Sequence, residues 1–144
     1  MRLGLPSAFE ELSHTADVGI RAHGADLAET YARAALAMAQ LQAGGGAVVP
    51  LAERRLEARG EDRAGLLVDL CRQVLAAFFL ERLLLASIEI EELTDTSLVA
   101  RCELGPYDPA IHGEGADIKA VTYARASIGP TPGGGFEGTL IFDI

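Results

Sequence analysis

The chain has 144 residues, 49% of them hydrophobic and 23% charged, with 16 Gly and 6 Pro, the profile of one ordinary globular domain over residues 1–144. A chain of this length buries roughly 70% of the surface its unfolded form exposes, so a core forms without disulfides or metals. Twelve basic residues stand against 21 acidic ones, a formal net charge of −9, which excludes a broad phosphate-binding surface built from Lys and Arg.

The opening segment has one Arg before Pro6, too short a stretch for a signal peptide, so a cytoplasmic location is expected. Residues 9–12 read as a short strand, and Val18, Ile20 and Ala22 alternate with Gly19, Arg21 and His23 as a second or continued one. Asp26, with Glu29 as a capping-box partner, opens a helix whose stripe is Leu27, Tyr31, Ala34, Ala35, Met38 and Leu41, closed by Gly44-Gly45-Gly46. Residues 51–59 read as a strand. Arg54, Arg55, Arg59 and Arg63 are interleaved with Glu53, Glu57, Glu61 and Asp62 there, a solvated mixed-charge face.

From Asp62 to about Leu84 the pattern is helical, with Leu66, Leu67, Leu70, Cys71, Val74, Leu75 and Phe78 on a wide apolar face. Its most apolar run, Val74 to Leu80, is fenced by Arg72 and Glu81, far short of the roughly 20 residues a membrane helix needs, so no membrane partner is expected. Residues 88–104 predict a hairpin, 105–115 a loop, 118–128 a strand, 130–135 a loop tip and 136–144 the last strand. The sum is an α+β two-layer sandwich: two helices packed on one face of a mixed or antiparallel sheet of six or seven strands. Cys71 and Cys102 fall on apolar faces and read as small buried hydrophobes.

No phosphate loop, paired-histidine motif or nucleophile elbow occurs, so no catalytic residue is identified. An independent metal-dependent hydrolase would lack a visible nucleophile or general base. His14, His23 and His112 are not at ligand spacing. Lys119 is the only lysine among the 12 basic residues. A slim point charge differs from a guanidinium in geometry and hydration, so its retention points to a specific use, or else to chance. Asp17 and Asp143 are each a surface acid by default. If their strand ends meet, they and the Ile144 carboxylate form a cluster of hard oxygens suited to calcium or magnesium.

Residues 9–20, including His14-Thr15-Ala16-Asp17-Val18-Gly19-Ile20, residues 118–123 with Lys119-Ala120-Val121-Thr122-Tyr123, and the closing Phe142-Asp143-Ile144 together resemble the archease family over essentially the whole chain. The resemblance implies a small acidic α+β protein that is not itself an enzyme. It implies activation of the GTP-dependent RNA ligase that joins tRNA halves, by promoting guanylylation and turnover of that ligase. It also implies a metal site at Asp17, Asp143 and Ile144 for a divalent cation, calcium first, with magnesium or manganese admitted. Lys119 would serve activation, and His14 would orient the Asp17 loop or make a structural hydrogen bond. The alternative partner is a tRNA-modifying methyltransferase, for which the protein would be a chaperone-like binding module. Stable direct binding of nucleic acid is not expected. One position departs from the family pattern: the tyrosine is usually followed by histidine, and here by Ala124. His112, from the preceding loop, is a candidate substitute.

Overall fold

Alternation and helical periodicity sort most of the chain into regular elements. The computed structural model describes residues 1–13, 17–43 and 46–144. In chain order these form β1 (Leu3–Gly4), β2 (Glu10–Ser13), β3 (Asp17–Gly24), α1 (Leu27–Ala43), β4 (Ala52–Arg59), α2 (Arg63–Glu81), β5 (Leu83–Leu93), β6 (Ser97–Pro106), α3 (Pro109–His112), β7 (Ala120–Pro130) and β8 (Phe136–Asp143). Asp26 opens α1 as expected, its Oδ1 accepting the Glu29 amide at 2.8 Å. The Glu29 side chain turns instead to Arg33 at 2.9 Å, so only half of the capping box forms. Asp62 caps α2 through the Gly65 amide at 2.7 Å.

The strands form two antiparallel sheets, in the orders β1-β5-β6-β4 and β2-β3-β8-β7. Helix α1 packs against β3 and β8 of the second sheet and against β5 and β1 of the first, while α2 packs against β7, β4 and β5. Each helix therefore packs against strands of both sheets. Ala32, Ala34, Ala35, Ala37, Ala39 and Ala43 are all buried, and their small side chains let both sheets approach α1 closely. The α+β class and the packing of helices on antiparallel strands match the sequence reading. The described strands number eight and divide between two sheets, because alternation reveals which face of a strand is buried but not which sheet it joins.

Helix α2 ends at Glu81 and not near Leu84. Arg82 takes a left-handed conformation (φ 54) and its amide reaches the Phe78 carbonyl, after which Leu83-Leu84-Leu85 enters β5. A continuous apolar run suits a helix and a buried strand equally well, so periodicity alone cannot place this boundary. Cys71 and Cys102 are fully buried, and desolvation pushes both thiols up to about 12. The mixed-charge face is self-neutralised by exposed pairs, Arg54 with Glu81, Arg55 with Glu57 and Arg63 with Asp95. Among the described residues no helix is long and apolar enough to cross a membrane.

Candidate functional site

Strand β8 is central in its sheet, so its last residues are flanked by the first residues of both neighbours. Asp17 opens β3 and pairs directly with Asp143 of β8, while Ala120 of β7 pairs with Asp143 from the other side. The Lys119 amide donates to the Asp143 carbonyl oxygen at 2.8 Å. Three residues from distant segments thus meet at one end of the sheet, with Ile144 following Asp143 and 46% exposed. Buried Val18, Ile20, Ile118, Val121, Leu140 and Phe142 anchor the strand ends beneath them. The loop leading to Lys119 is tied to the end of α1, Gly115 and Ala116 donating to the Gln42 and Leu41 carbonyls at 3.0 and 2.8 Å. His14, with Thr15 and Ala16, lies outside the described residues.

Directly opposed residues of an antiparallel pair bring their β-carbons within about 4.5–5.5 Å, and like charges so placed repel. The Asp17–Asp143 pairing therefore concentrates negative charge. Asp17 Oδ1 is buried and has no hydrogen-bond partner among the described residues, and Oδ2 lies 3.9 Å from Nη2 of Arg125. An orphaned buried carboxylate oxygen, opposite a second carboxylate, fits a hard divalent cation bound through oxygen. The described residues contain no group of three His, Cys, Asp or Glu that could hold a metal. The Lys119 ammonium lies 4.0 Å from Asp117 Oδ2 and its side chain is 65% exposed; the main-chain bond fixes where it starts and the head group stays accessible.

Strand β7 is not the unbroken strand expected. Thr122 pairs with Ile141 and the next pair is Ser127 with Thr139, so residues 123–126 bulge out of the ladder. In a regular strand Val121, Tyr123 and Arg125 would share one face, and Val121 is buried; the bulge spares the guanidinium that burial. That conflict between alternation and charge is the signal by which the bulge could have been read. Tyr123 emerges 60% exposed, with the Arg72 guanidinium 4.6 Å from its ring centroid. Arg72 Nε also donates to the Val121 carbonyl at 3.1 Å. Arg125 takes φ 58, and Ala124 sits beside it on the bulge.

His112 does not stand in for the histidine absent at position 124. Its Nδ1 accepts the Asp108 amide at 2.9 Å, leaving Nε2 to donate to the Ala47 carbonyl at 3.1 Å. Nδ1 closes the 105–115 loop on itself and Nε2 ties it to Ala47; α3 forms in this loop, capped by Asp108 through the Ala110 amide at 2.9 Å.

Comparison with known proteins covers the same span. Residues 9–144 match the profile of the Archease protein family (MTH1598/TM1083). The protein archease of Pyrococcus abyssi is 30% identical over 139 residues, 94% of this chain and 98% of the relative. That of Methanothermobacter thermautotrophicus is 33% identical over 122 residues, 83% of this chain and 87% of the relative. The solution structure of Methanobacterium thermoautotrophicum protein 1598, 30% identical, has a TM-score of 0.74 and covers 94% of this chain and 98% of its own.

Proposed function

Because the chain belongs to the archease family, we propose that it activates the GTP-dependent RNA ligase through the sheet end that carries Asp17, Asp143 and Lys119. The protein is an activator of the ligase and not itself a catalyst. The observation that carries the site reading is the direct pairing of Asp17 with Asp143, with the Lys119 amide on the Asp143 carbonyl. In this reading Asp17, Asp143 and the Ile144 carboxylate hold a divalent cation, calcium first. A cation there supplies positive charge that offsets charge developing on phosphate during nucleotidyl transfer.

Lys119 supplies a second, protein-borne positive charge. Its main-chain bond to β8 holds its position while the exposed ammonium reaches a phosphate or carboxylate of the ligase. The net charge of −9 complements a partner lined with basic RNA-binding grooves, which speeds encounter. The test is a single-turnover guanylylation assay of the ligase at saturating activator. Wild-type protein should accelerate guanylylation; no acceleration would remove the activator role. Lys119→Arg keeps the charge but widens the head group into a planar fork. It should still bind the ligase within about tenfold, roughly 1.4 kcal/mol, and stimulate poorly. A wild-type rate in that variant would remove the phosphate contact assigned to Lys119.

A further inference from the structure

Among the described residues, the basic group within ion-pair range of the Asp17 carboxylate is Arg125, Nη2 to Oδ2 at 3.9 Å. Lys119, at the same sheet end, turns to Asp117 instead. Arg125 reaches Asp17 because of two features of β7. The bulge at residues 123–126 lifts it out of the ladder, and bulges characteristically re-aim a side chain. Its backbone then takes φ 58, a region in which non-glycine residues are uncommon. The start of the bulge is braced: Arg72 packs over Tyr123 and donates to the Val121 carbonyl, and Thr122 Oγ1 donates to the Ile141 carbonyl at 3.0 Å. The Arg125 side chain is itself 59% exposed, so it can leave without disturbing that brace.

The contact is also loose. At 3.9 Å it is an ion pair without a hydrogen bond, and the second Asp17 oxygen is buried with no partner among the described residues. Arg125 thus offsets the charge of the carboxylate without saturating it. We propose that Arg125 is a resident counter-cation for Asp17 which a divalent ion displaces, so that loading the edge and releasing the guanidinium are one exchange. This rests on the reading of Asp17 and Asp143 as a cation site. It gives the ion-loaded protein a feature the ion-free protein lacks: a guanidinium freed at the sheet end where Lys119 already stands.

The experiment is a calorimetric titration of calcium chloride into wild-type protein, Arg125→Ala and Arg125→Gly, the glycine variant tolerating the left-handed backbone. Lys119→Ala, which removes an equal charge that does not touch Asp17, is the control. Both Arg125 variants should bind calcium about three- to fivefold more tightly, the scale of one exposed ion pair, and Lys119→Ala should change affinity less than about twofold, its charge acting only through screened solvent. In wild-type protein labelled with ¹⁵N-arginine, the side-chain resonance lost in the variants should move as calcium is added. Unchanged or weaker binding in both Arg125 variants would overturn the exchange while leaving the cation site standing. An equal gain in Lys119→Ala would also overturn it, as a general field effect. No saturable calcium binding by wild-type protein would remove the cation site and the exchange together.

Discussion

Gly19 ties the motif string to the geometry of the edge, and replacing it by alanine tests that tie. Gly19 pairs with Ile141 across the β3–β8 ladder. A β-carbon at position 19 would stand 2.6 Å from the Leu140 carbonyl oxygen and 2.7 Å from Ile141 Cδ1. The isoleucine methyl can rotate away, but the carbonyl belongs to the strand, so β3 must retreat from β8 by roughly 0.8 Å to restore ordinary contact. Overpacking of this kind destabilises by about 1–3 kcal/mol. With an unfolding entropy of about 0.3 kcal/mol/K for a chain this long, Tm should fall by about 3–10 °C. The same retreat draws Asp17 off Asp143, so calcium affinity should fall by about tenfold, roughly 1.4 kcal/mol. Scanning calorimetry and a calcium titration read both effects. Gly133→Ala, where an added β-carbon meets nothing within 4 Å, is the control and should melt within about 1 °C of wild type, as surface substitutions away from special features do. A Gly19→Ala protein with native Tm and native calcium affinity would refute the reasoning.

Asp17→Asn should leave the ion-free protein as stable as wild type or slightly more so, because one of two facing like charges is gone. Calcium at 100 times its Kd should stabilise the wild-type protein by about 2.7 kcal/mol, close to 9 °C in Tm; an undiminished rise in Asp17→Asn, measured against a chelator control, would count against Asp17 as a ligand. A peptide tag added after Ile144 converts the terminal carboxylate to an amide and should weaken both calcium binding and stimulation of the ligase. Full affinity in the tagged protein would exclude that carboxylate. Tyr31 donates its hydroxyl to the Arg63 carbonyl at 2.9 Å, and burial pushes it from 10.0 up to about 12. The fold therefore favours the neutral phenol: this contribution to stability is intact below pH 10 and is lost as pH rises through about 12. In an ultraviolet phenolate titration one of the 3 tyrosines should ionise late or only on unfolding, and a single step near the ordinary value for all of them would contradict the assignment.

Local chemistry was legible where one segment decides the outcome. Asp26 announces the start of α1 and caps it; the helical pattern from Asp62 marks the start of α2, where Asp62 itself is the cap and not the first helical residue. Cys71 and Cys102 follow their apolar faces into the core. Strand β1 was missed because two residues, Leu3–Gly4, are too few to show alternation. The meeting of Asp17 with Asp143 was legible only as a condition, since it depends on β8 lying between β3 and β7, an order no local pattern encodes. Lys119 drew notice through composition, being the sole lysine. Arg125 did not, because its contact arises from a bulge that breaks the alternation used to read the strand.

The position of β8 also bears on how the protein is made. It follows every other described strand in the chain, yet it hydrogen-bonds on both sides, to β3 and to β7. A nascent chain that has not yet exposed Phe136–Asp143 outside the ribosome carries β3 and β7 as two open edges with nothing between them. Open edges invite pairing with other chains, and such species aggregate or are degraded. The sheet closes only when its central strand emerges, and the same event delivers Asp143 to Asp17. A product of interrupted translation therefore has neither a finished sheet nor the pairing of Asp143 with Asp17.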